Sequence, residues 1–191
     1  MKSVILLVLI FINTSLVMAV PETNKVMRLL EGRHWELREG PFKRLGEGAD
    51  QRLREIADNT SLTNYLRFRA LIALSLYDNE ETGAHLERHA RSGDSSFARR
   101  GFSSLTRAFS KSQPDRVRKI AEHLMESPEA QLRIAAAREM RKIDPPAYQQ
   151  FLQSESKAWV LARYCRAQSP SFGYFPCRHL VMSLLTLPES E

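Results

Sequence analysis

His85 and His89 stand four residues apart, and Glu81 precedes His85 by one helical turn. On a helix these side chains share a face, a geometry that metal ions use when imidazole and carboxylate ligands converge. The pattern is not that of a zinc protease, because Glu87 lies two residues beyond His85 and faces elsewhere. Aligning Leu86 with Ile120 sets Lys119 opposite His85, His123 opposite His89 and Asp115 opposite Glu81. The lysine at an equivalent position argues against a metal cage carried by a repeat. The residues therefore favour a solvated or groove-lining histidine pair, and no metal is assigned.

Other chemistry is thinner still. No serine sits in a Gly-x-Ser-x-Gly elbow, no glycine-rich phosphate loop is present, and carboxylate pairs such as Glu80-Glu81 read as solvated. A non-enzymatic protein that needs no cofactor is the expectation, with an enzyme whose metal-dependent site is scattered along the chain as an alternative. The two cysteines, Cys165 and Cys177, flank a turn-rich stretch containing Pro170, Gly173 and Pro176. In an exported protein such a pair is expected to close as a disulfide; two free thiols are the alternative.

Export is suggested by the first residues. Lys2 precedes an apolar run from Val4 to Ile12, then Asn13-Thr14-Ser15, then Leu16-Val17-Met18-Ala19. This is the pattern of a secretory signal, with cleavage expected after Ala19. The polar patch stops the run well short of the ~20 residues a spanning helix needs. The expectation is a periplasmic or secreted protein with no integral membrane segment after signal removal.

The chain carries a formal net charge of +6, and Arg outnumbers Lys three to one. Hydrophobic residues at 43% and charged residues at 26% fit a soluble globular chain, and these totals suggest neither disorder nor a membrane bundle. The basic balance suits an acidic protein, anionic lipid heads or a polyanion. Export makes nucleic acid an improbable natural ligand, and interleaved aromatics for base stacking are not apparent.

The elements that position these residues follow a repeat. The segment Leu66-Arg67-Phe68-Arg69-Ala70-Leu71-Ile72-Ala73-Leu74 has a counterpart 31 residues on, from Phe97 to Leu105, and another 35 beyond that, from Leu132 to Met140. Each places a large apolar residue, then a small one four later (Ala70, Gly101, Ala136), then an apolar one four after that. Small residues so placed let a neighbouring helix come close. Each segment is followed by a second helical stretch, 80–91, 114–125 and 146–153, with turn signals between. Pro114 and Pro128 are expected in the first turns of their helices, where a missing N–H costs little. Leu53, Ile56 and Ala57 mark an earlier helix, with Asp58-Asn59-Thr60-Ser61 ending it and capping the next.

The run Leu132-Arg133-x-x-Ala136-Ala137-x-x-Met140, with its looser copies, resembles HEAT repeats, particularly the short bacterial type. The resemblance covers roughly 49–153 and implies an all-α fold, an α-solenoid of antiparallel helix pairs. Residues 1–19 then form the signal peptide, 20–48 a lead-in segment, and 154–191 a C-terminal cap pinned by the cysteine pair. A partner-binding loop at Tyr174-Phe175 is the alternative to the cap. In HEAT-like arrays the second helices line a concave surface, so the resemblance implies a groove of His85, Arg88, His89, Lys119 and His123. A protein or peptide partner, acidic by charge complementarity, is expected there. An ordinary hydrated face, with Arg88 paired to Glu122, competes with that reading.

Arg67, Arg69, Arg99, Arg100, Arg133 and Arg138 recur on the first helices. As a basic stripe they would bind polyanions or envelope components. As structural residues their stems would cover apolar seams while their heads find partners between repeats. The second reading is favoured.

Overall fold

The computed structural model describes residues 20–155. The signal segment, the cap, its Tyr174-Phe175 loop and the Cys165–Cys177 pairing all lie outside the described residues. Among those described the architecture is all-helical, in the order α1 (Thr23–Leu30), α2 (Glu39–Lys43), α3 (Ala49–Asp58), α4 (Asn64–Leu74), α5 (Glu80–Ala90), α6 (Ser95–Phe109), α7 (Pro114–Met125), α8 (Ala130–Ile143) and α9 (Pro145–Ser154). None of these helices is long and apolar enough to cross a membrane.

Local chemistry sets the boundaries. The Asn79 side chain accepts from the Thr82 N–H to start α5, and Asp94 accepts from the Ser96 and Phe97 N–H groups to start α6. Each satisfies a backbone donor that the helix itself cannot. Pro114 opens α7 as expected. Pro128 does not enter α8, which begins at Ala130 behind an extended Glu129; the proline lies in the preceding turn. Asn59 ends α3, its N–H donating to the Glu55 and Ile56 carbonyls, but it does not cap α4. Its Oδ1 accepts from Ser61 within the turn, and α4 starts after Thr63. The short helix α2 contains Gly40 and Pro41, residues that ordinarily punctuate a chain, and the sequence reading of 20–48 as a lead-in segment did not foresee it.

The helices pack most extensively as α3 with α4, α5 with α6, and α7 with α8. This pairing is offset by one helix from the sequence repeat, which joined each first helix to the one after it. In addition α6 packs on both α4 and α8, so the three repeat-bearing helices lie in a row. The core runs continuously through them, with Leu71, Leu74, Leu86, Phe102, Leu105, Phe109, Ile120 and Met140 fully buried. Large side chains of this kind stabilise by roughly 1.5–3 kcal/mol each.

Gly101 has a specific reason to be glycine. A Cβ there would lie 2.7 Å from the Ala90 N and 2.9 Å from the His89 carbonyl carbon, so α5 approaches α6 backbone to backbone at this point. Ala70 and Ala136, the equivalent positions, are completely buried.

The lead-in segment packs on α3 and α4 through α1. Val26, Leu30 and Phe42 are buried against the core, and the Trp35 Nε1–H donates to the Leu29 carbonyl at 2.7 Å. Arg69 reaches back from α4 to donate to the Leu30 carbonyl at 2.6 Å.

Candidate functional site

Two places gather chemistry-bearing residues: the seam between α3 and α5, and a cleft between α6 and α8.

At the seam, His85 and His89 are both buried, at 7% exposure each, and do not line an open surface. Their helix presents them toward the last residue of α3, Asp58, rather than toward Glu81, which is exposed. The His89 Nε2–H donates to Asp58 Oδ1 at 3.0 Å, while His85 Nε2 lies 3.9 Å from the same oxygen. Arg88 donates through Nη2 to Asp58 Oδ2 at 2.7 Å and to His85 Nδ1 at 3.0 Å. Accepting at Nδ1 places the proton of neutral His85 on Nε2. That nitrogen is buried without a hydrogen-bond partner. The His89 ring stacks on Phe97 of α6 at 5.7 Å between centroids, which fixes its plane.

Burial pushes the His85 pKa down to about 4, against the upward pull of the Asp58 carboxylate, with His89, Arg88 and Arg54 adding to the depression. Burial also lowers His89, opposed by its hydrogen bond to Asp58. For Asp58, burial acts to raise the pKa, but Arg88 and the two imidazoles hold it below the usual carboxylate range. At neutral pH the seam therefore holds two neutral imidazoles, one carboxylate and one guanidinium.

The remaining groove residues are distributed differently. Arg88 is exposed but engaged with Asp58 rather than Glu122. Lys119 and His123 are exposed on α7. The bridge between α5 and α7 is Arg116, which pairs with Glu80 at 2.6 Å and with Glu87. The five residues thus do not form one exposed patch.

The basic stripe divides in two. Arg67 donates to the Ala57 carbonyl and lies over Phe97, Arg69 lies over Tyr65 at 3.5 Å, and Arg100 lies over Phe68 at 3.7 Å. Arg133 is buried, donating to the Glu155 carboxylate and to the Ser127 and Pro128 carbonyls. These four seal helix seams with apolar stems and satisfied heads. Arg99 and Arg138 do something else. They line an open cleft of about 630 Å³ between α6 and α8, together with Arg107 and Lys142, over Phe102, Ala135 and Ile143. Among the described residues Arg99, Arg107 and Arg138 form no hydrogen bond or close ion pair, and the Glu39 carboxylate interacts with Arg107 only at longer range. The one carboxylate in the cleft, Glu139, is engaged by Lys142 at 3.1 Å. Thr106 Oγ1, in the same lining, is buried without a hydrogen-bond partner.

Arg107, Lys142 and Thr106 were not singled out from the sequence, although their spacing held a signal. Arg99, Ser103, Thr106, Arg107 and Ser110 follow the three-and-four step of one face of α6, and Arg138, Glu139 and Lys142 that of α8. Asp58 was read as the end of a helix, and nothing local connects it to histidines 27 and 31 residues later. Comparison of the chain with protein-family models, with curated proteins and with solved structures finds no match.

Proposed function

We propose that this chain is an exported, non-enzymatic interaction module, a short HEAT-like α-solenoid that captures an acidic protein segment in the cleft between α6 and α8. The observation that carries the reading is the convergence of Arg99, Arg107 and Arg138 on one groove, where Glu139, the one carboxylate among the described lining residues, is already engaged. Cations that outnumber the nearby carboxylates repel one another, so an anionic occupant offsets a cost already present in the free protein. Guanidinium groups bind carboxylates with two parallel hydrogen bonds, which adds orientation to attraction. Phe102, Ala135 and Ile143 offer apolar contact between the charges.

The solenoid part of the reading is supported by the order of contacts. The row α4, α6, α8 and the pairs α3/α4, α5/α6 and α7/α8 join neighbours in sequence, as stacked antiparallel helix pairs do. Export rests on the signal-like first nineteen residues.

The test is fluorescence anisotropy with a labelled glutamate-rich peptide. Wild type should bind, with affinity falling steeply as salt is added. Arg107→Glu combined with Arg138→Glu should weaken binding at least about tenfold, in line with the loss of two charge-assisted contacts. Arg88→Glu with Lys119→Glu, on the α5 and α7 faces, should leave it intact. Equal loss in both pairs, or in neither, overturns the cleft assignment. Binding to vesicles rich in anionic lipid with no binding to the peptide would replace the protein partner by an envelope surface.

A further inference from the structure

We propose that Asp58, His85 and His89 form a binding site for one zinc-class divalent transition-metal ion that staples α3 to α5. Two imidazoles and one carboxylate are a donor set suited to Zn²⁺, Co²⁺ or Ni²⁺ and poorly suited to Ca²⁺ or Mg²⁺, which take oxygen. The three ligating atoms lie within 4.8 Å of one another, with Asp58 Oδ1 at 3.0 Å from His89 Nε2 and 3.9 Å from His85 Nε2. Ligands about 2.0–2.1 Å from a tetrahedral zinc stand roughly 3.3 Å apart, so the cluster closes on an ion with side-chain movements of about an ångström.

A second, independent observation is the state of His85. Its Nε2 is buried 3.9 Å from Asp58 Oδ1 and has no hydrogen-bond partner among the described residues. A buried polar atom left in this way is costly, and a metal ion is one of the few occupants small enough to satisfy it there. The imidazole of His89 is already oriented by its stack on Phe97, and its ring proton passes from Nε2 to Nδ1, through solvent, as Nε2 ligates the ion.

Arg88 is the group the ion displaces. Its guanidinium now supplies the positive charge beside Asp58 and caps His85 Nδ1, but its side chain is 58% exposed and free to swing to solvent. Once it leaves, His85 Nδ1 carries the ring proton and Nε2 presents its lone pair to the metal. Cation and guanidinium therefore compete for one carboxylate. Asp58, itself partly exposed, leaves the fourth coordination position on the solvent side for water.

The experiment is isothermal titration of the purified, chelator-stripped protein with zinc chloride, beside Co²⁺ absorption. One ion per chain is expected, with the intense visible bands of a tetrahedral nitrogen–oxygen site in the cobalt form. His89→Gln and Asp58→Asn should each weaken zinc by at least about 100-fold, since losing a partner that merely orients a ligand already costs about 10–100-fold. Arg88→Ala should strengthen it by removing the competitor, a change that a purely structural ion-pair network would not produce. Circular dichroism confirms that each variant is folded, and the Arg88→Ala arm stands even if a ligand variant is not. Absence of one-to-one binding, binding that survives His89→Gln in the folded variant, or unchanged affinity in Arg88→Ala overturns the site. The proposal is independent of the cleft, so the peptide assay and the metal assay fail separately.

Discussion

The Tyr77 hydroxyl, half-buried beyond the end of α4, donates to the Phe42 carbonyl at 3.2 Å and ties the lead-in segment to the repeats. Burial, aided by the negative charge of Asp50, pushes its pKa up to about 12. The folded form thus keeps a proton that the unfolded chain releases near pH 10. Its contribution is fully present below pH 10 and is lost as pH rises from 10 toward 12, because the unfolded state then binds fewer protons. Tyr77→Phe should therefore unfold at a higher pH midpoint than wild type in alkaline titrations followed by circular dichroism. An unchanged or lower midpoint would show that the hydroxyl's hydrogen bond outweighs its protonation linkage.

Among the elements, the contact of α5 with α6 is the most constrained. Alanine at position 101 would add about 1 kcal/mol of helix propensity. It would also place a methyl group against the backbone of His89 and Ala90, which cannot retreat as a flexible side chain can. Gly101→Ala should accordingly be destabilising, by about 1–3 kcal/mol in urea unfolding, as for an overpacked core. A stabilised variant would mean that the helices separate at little cost. The same contact shows what was legible beforehand. The row of small residues at Ala70, Gly101 and Ala136 pointed to close helix approach because the apolar step of three and four repeats around it. The bounds of α7 were readable from Pro114 and the turn before it. Helix α2 was not, since its propensities are poor and its tertiary contact through Phe42 holds it. Pro128 misled because a proline is as well suited to the turn before a helix as to its first residue. The offset in helix pairing was equally hidden: periodicity identifies faces but not which neighbour covers each. The histidine pair was visible as a pair, whereas Asp58 joins it only through the packing of α3 on α5, and the cleft exists only once α6 and α8 are side by side.

At the scale of the whole molecule, each helix touches its near neighbours and little else, so cooperativity must pass from unit to unit. A lesion at the N-terminal side should stay local. Leu30→Ala removes a fully buried side chain and should cost about 2–5 kcal/mol. Hydrogen exchange followed by mass spectrometry should then show faster exchange in α1 to α4 while α7 and α8 keep their protection. Uniform acceleration along the chain would show a single cooperative block instead.

The lead-in segment has a further consequence. A protein assembled from like units ends in surfaces that resemble its own interior seams, and each such end is a template on which a second copy can dock. Growth from such an end has no built-in stop and gives filaments. Under the proposed solenoid, α1 packed on α3 and α4, with the Arg69 guanidinium occupied by the Leu30 carbonyl, covers one such surface. On that reading, the segment that looked like a preface to the repeats serves as a cover for them.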